Sequence, residues 1–162
     1  MAIKDVGAYI EKRGLVETTD AEIEKPIYRK PGFDGIASFG EMEEVFSNLV
    51  RAKRDEHNLN RAQLAMMLGL SEQVFARYER AISKMHVTRL IHLSEILGFS
   101  PLEMIHAAAP HLFGADQQEA EDKMALISRM LKMPAPTSSA LLKLVEELSP
   151  DDPTDPAEKK KR

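Results

Sequence analysis

The stretch Arg61–Arg80, RAQLAMMLGLSEQVFARYER, decides how this chain folds. Asn60 precedes it, and a short polar side chain there can accept from the first free amides of a helix running to Leu68. Gly69 then supplies a turn, because it takes a left-handed conformation without the penalty a Cβ would bring. Ser71 can cap a second helix, expected over Glu72–Arg80. Ala65 is small enough for two helices to cross closely at its position, and Leu64, Leu68, Leu70, Phe75 and Tyr78 fall where side chains must point into a shared core. Each of these features is common alone; their joint spacing fixes two short helices crossing at a tight turn.

The flanks continue the helical pattern. Upstream, Val45, Phe46, Leu49 and Val50 share one face of a helix running from Glu41 to about His57, and Asn58 ends it. Downstream, Leu90, Ile91, Leu93, Ser94 and Leu97 mark a helix over Val87–Leu97, closed by Gly98. Ser100 and Pro101 start another, with Leu102, Ile105 and Ala108 as its apolar positions. Pro110 and Gly114 mark a boundary, followed by amphipathic segments Gln117–Met133 and Ser138–Leu148. Before Glu41 there is a helical candidate, Asp5–Arg13, and then a stretch broken by Pro26, Pro31, Gly32, Gly35 and Gly40, which is expected to be an extended arm.

The segment from Leu49 to Ile105, LVRAKRDEHNLNRAQLAMMLGLSEQVFARYERAISKMHVTRLIHLSEILGFSPLEMI, resembles the lambda-repressor-like (Xre/Cro-type) helix-turn-helix family of bacterial and phage regulators. The resemblance implies a five-helix domain whose third helix enters the DNA major groove, with a second copy supplied by dimerisation. It places Arg61 at the start of the second helix, where family members contact phosphate or support a base-reading side chain. Glu72, Gln73, Val74, Ala76 and Arg77 then fall on the outward face of the third helix, with Arg80 and Lys84 following near the DNA backbone. Chemistry gives these positions separate meanings: Gln73 can pair with an adenine edge, Arg77 with a guanine edge, Val74 with a thymine methyl, and Glu72 with a cytosine amine. Two residues depart from the family pattern. Ala81 replaces the glycine that commonly ends the third helix, so that end either continues or takes a strained turn of about 1 kcal/mol. Arg61 replaces the more frequent glutamine.

Composition narrows the classes. The 162 residues include no cysteine, which removes disulfides, thiolate metal sites and thiol nucleophiles. The net charge is −4, and Glu41 to His106 holds eight bases against nine acids, so phosphate affinity must come from placement rather than bulk charge. His57, His86, His92, His106 and His111 lack the spacing of a helical metal site, and the methionines are read as packing residues. No phosphate-cradling glycine loop, no G-x-S-x-G and no carboxylate pair on a shared face of an evident cleft is found, so neither enzymatic activity nor a cofactor is expected. With no long apolar run, the expected location is cytoplasmic and nucleoid-associated, with no membrane partner.

The expected fold class is therefore all-α, in four parts: an N-terminal arm over 1–40, the helix-turn-helix domain over 41–109, C-terminal helices over 115–149 that serve dimerisation, and a disordered charged tail over 150–162. The expected function is sequence-specific binding of double-stranded DNA as a homodimer on a pseudo-palindromic operator, most simply as a repressor. The alternative is an antitoxin or another interaction module of the same fold, holding a protein partner through the arm or the C-terminal helices. A third reading is a scaffold that has lost DNA binding. The basic patch Tyr28–Gly32 is either a minor-groove arm or, more simply, a tether or a strand against a partner; Lys159–Arg162 is most simply a solvated end.

Overall fold

The computed structural model describes residues 5–148, and the expected tail over 150–162 lies outside them. Chain compactness divides the protein into two units, Met1–Met124 and Ala125–Arg162.

The first unit opens with helix α1 (Val6–Lys12), capped by Asp5, whose carboxylate accepts from Ala8 N at 3.0 Å. An antiparallel pair follows, β1 (Val16–Asp20) and β2 (Ile23–Arg29). This corrects two expectations at once, since the protein is mostly helical but not all-α, and the stretch before Glu41 is a hairpin rather than an open arm. The physical reason lies in Pro26. In a two-stranded sheet both strands are edges, where a missing N–H is tolerated. The register also bulges there, with Thr18 paired to Ile27 and Asp20 to Ile23, leaving Thr19 opposite Glu24, Lys25 and Pro26.

The hairpin is fastened to the helices that follow. Asp20 is buried, accepting from Glu22 N at 3.0 Å and from Phe39 N at 2.8 Å, the first residue of α2 (Phe39–Glu56). These amide bonds, Phe39 first, hold its carboxyl below the usual carboxylate range. Arg29 donates to Ala37 O and lays its guanidinium 4.7 Å from the centre of the Phe39 ring. Helix α2 starts with a reciprocal cap, in which Ser38 Oγ accepts from Glu41 N and Glu41 accepts from Ser38 N.

The core is formed by α2 together with α3 (Arg61–Met67), α4 (Glu72–Tyr78), α5 (Val87–Leu97) and α6 (Pro101–Ala108). Val50, Leu64, Ala65, Leu68, Phe75, Leu90, Leu93, Leu97, Phe99 and Met104 are buried together, with Phe46, Leu49, Leu59, Leu70 and Tyr78 packed against them. Two phases differ from the sequence reading. Ile91 is exposed, and in α6 the fully buried residue is Met104, while Leu102, Ile105 and Ala108 are only half-buried. A short 3₁₀ turn, Pro110–Leu112, leads towards α7 (Gln117–Met130). Gly114 is required there because a Cβ would stand 2.5 Å from Ala120 N. Ala120 and Met124 are buried.

The second unit contains the last residues of α7 and helix α8 (Ala135–Leu148). α8 buries no residue; Leu141 is half-buried, and Leu144, Val145 and Leu148, on the same helical face, are exposed. Among the described residues no helix is long and apolar enough to cross a membrane.

Candidate nucleic-acid interface

Helices α3 and α4 pack against each other through the turn that joins them. Asn60 caps α3 in a reciprocal box with Gln63, and Ser71 Oγ accepts from Val74 N at the start of α4. Gly69 takes φ +67°, and the turn closes with Leu70 N donating to Ala65 O at 2.9 Å. Ala65 is buried at the crossing and Phe75 anchors α4 from below, so one side of α4 is committed to the core.

The other side faces outward. Glu72, Gln73, Val74 and Arg77 are exposed, whereas Ala76 is half-buried rather than on the outward row. Arg77 donates from Nε to Ser83 Oγ at 3.1 Å, and Arg80 folds back to donate from Nε to Ala76 O at 3.0 Å. The remaining two basic residues, Arg61 and Lys84, each hold an ion pair with another element. Arg61 is nearly half exposed but its Nε is held by Glu79 Oε2 at 2.5 Å, so it supports the third helix of the domain from below. Lys84 pairs with Glu22 in the hairpin turn, and that bond, joined by the charges of Glu22, Glu43 and Asp20, raises its pKa against the opposing cost of desolvation.

α4 stops at Tyr78, two residues short of the expected end, and Ala81 takes φ +54°. Of the two outcomes open at this position, the strained turn is the one adopted. Helix α2 holds the exit on both sides of it: Ser47 Oγ donates to Tyr78 O at 2.5 Å, Arg51 donates to Glu79 O, and Glu43 accepts from Met85 N at 3.1 Å. Tyr78 O and Glu79 O lie at a helix end, where carbonyls lack partners within the helix.

Beneath the turn lies a buried carboxylate that sequence reasoning missed. Glu79 is 1 % exposed, and its oxygens face Arg54 Nε at 2.6 Å and Arg61 Nε. Arg54 also donates to Leu59 O at 2.7 Å and to Asp55. Burial works against the Arg54 charge, yet Glu79 and Asp55 raise its pKa above the ordinary guanidinium value. The signal was available in helical phase. Ser47 and Arg54 share the face of Val50, and Glu79 lies one turn beyond Phe75, so polar groups occupied core positions and required buried partners.

A family model described as Helix-turn-helix matches residues 50–104. Among solved structures, the clp gene regulator ClgR from C. glutamicum is similar with 17% identity and a TM-score of 0.39, over 46% of this chain and 96% of that one. At that level of superposition no residue of this chain takes a role from that protein. A comparison with curated proteins gave no match. The family match and the α3–turn–α4 geometry agree on the same residues: the segment 50–104 contains a helix-turn-helix.

Proposed function

We propose that the protein is a DNA-binding transcription regulator, and that residues 41–109 form a five-helix domain that reads double-stranded DNA through α4. The observation that carries this reading is the exposed row Glu72, Gln73, Val74 and Arg77 on a helix whose opposite side is locked into the core by Phe75. Groups that recognise base edges are thus presented on a rigid element narrow enough for a major groove. Glu72 discriminates by accepting from a cytosine amine, and it lowers affinity for phosphate at large. Arg80 lies beside the backbone, and Arg61 acts through Glu79. In this reading the chain acts as a repressor by occluding polymerase at a pseudo-palindromic operator, in the cytoplasm and associated with the nucleoid.

A two-fold operator calls for two copies of the reader. The exposed face of Leu144, Val145 and Leu148 supports self-association through the helices between 115 and 149, because a short amphipathic helix gains most of its stability from burying its apolar side. That same face favours a second reading, capture of a protein partner in the manner of an antitoxin. Sedimentation of the purified chain separates them: a homodimer that becomes a monomer in Leu144→Glu supports the first, and a monomer that co-purifies from its host with a stoichiometric small protein supports the second.

DNA reading itself is tested by equilibrium binding to native upstream DNA across a range of salt. Arg77→Ala is expected to lose about 1–3 kcal/mol on the preferred sequence and to relax preference at one base pair. Unchanged affinity and preference would remove α4 from the reading surface.

A further inference from the structure

Arg77 has three nitrogens on its guanidinium, and the structure uses only one of them. Nε donates to Ser83 Oγ at 3.1 Å, and among the described residues neither terminal nitrogen has a partner. A guanine edge is read in bidentate fashion by a planar fork. A fork on a long exposed side chain must be held still to discriminate well, since rotamer freedom lost on binding weakens the contact.

Ser83 reaches Arg77 only because of the turn at Ala81. The left-handed residue reverses the chain so that Ile82 N and Ser83 N both donate to Arg77 O, at 2.9 and 3.3 Å. The serine hydroxyl thereby comes to the side chain of the residue whose carbonyl its own backbone binds. Both flanks of the turn are pinned to α2, through Tyr78 O, Glu79 O and Met85 N. Strain in a backbone persists where surrounding structure over-determines it, and it gathers at working sites.

Resting on the DNA-reading proposal above, we infer that Ser83 is a positioning residue for Arg77, and that the left-handed turn at Ala81 serves to bring it there. Ser83 makes no base contact in this scheme. It occupies Nε and so aims the two remaining nitrogens outward as a pair.

The experiment uses the full chain and duplexes selected by the wild-type protein from a randomised pool, with single base-pair variants and an unrelated duplex as probes. Ser83→Ala is expected to reduce preference at the base pair relaxed by Arg77→Ala, by about fivefold or more. Affinity for the unrelated duplex and its salt slope stay at wild-type values, as does the thermal midpoint. Ser83→Thr, which keeps the hydroxyl, restores the preference. If Ser83→Ala keeps full preference where Arg77→Ala loses it, the positioning role is overturned and the DNA reading stands. Equal losses on all duplexes would assign Ser83 to the fold alone and overturn it as well. A wild-type chain that selects no sequence from the pool would remove both proposals together.

Discussion

Glu79 Oε1 lies 2.6 Å from Arg54 Nε, a carboxylate with 0% of its side chain accessible against a guanidinium with 9%. The pair joins α2 to the exit of α4. Removing one member of a buried pair strands the other without solvent, so Glu79→Ala is expected to destabilise the domain by about 3 kcal/mol or more. Denaturant titration checks this. A loss below about 1 kcal/mol would show that Arg54 finds water or another acceptor.

Ala81 gives the opposite sign. A residue with a Cβ at φ +54° carries strain that glycine does not. Ala81→Gly is therefore expected to stabilise the protein by about 1 kcal/mol, read as a higher melting midpoint, with sequence preference unchanged because the turn keeps its shape. A midpoint that stays level or falls would mean that the turn costs nothing here.

Under the regulator reading, Glu22 competes with phosphate for Lys84. Both side chains are partly exposed, so their pairing adds little to stability. Its effect belongs to binding. Glu22→Gln is expected to tighten binding to any duplex and to steepen the logarithmic salt dependence by about 0.9, the contribution of one added phosphate contact. Lys84→Ala in the Glu22→Gln background is expected to erase that gain. Titrations at several salt concentrations measure both, and a slope identical in all three proteins would show that Lys84 lies away from the DNA.

Asp20 sets a pH dependence. Bonds from Phe39 N and Glu22 N lower its folded pKa, so the carboxylate contributes stability that is fully present above the ordinary value of about 3.9. That contribution disappears as pH falls through the lowered value. The melting midpoint of wild type is expected to exceed that of Asp20→Asn by a constant margin above about pH 5 and to converge on it in more acid solution. Parallel curves down to the acid limit would contradict this origin.

The helix-turn-helix was legible because its requirements are local. Capping at Asn60 and Ser71, the turn at Gly69 and the small contact at Ala65 each involve a few neighbouring residues, and all four positions behave as the spacing requires. The hairpin was hidden because strand pairing joins residues apart in sequence, Val16 with Arg29, while Pro26 gave a strong local signal against a strand. Site residues divide in the same way. Gln73 and Arg77 are exposed because helical phase sets them opposite Phe75, which the sequence shows. The ion pairs of Arg61 and Lys84 were not legible because their partners, Glu79 and Glu22, come from other elements. The turn at Ala81 was visible as an anomaly, and only the fold shows what it brings together.

The grip of Ser47 and Arg51 on the carbonyl end of α4 ties that helix to α2. A helix so tied resists reshaping to a groove of the wrong width or twist. Under the regulator reading, the cost of fitting falls on the duplex, and base pairs that no side chain touches then weigh in target choice through how readily they bend and overwind.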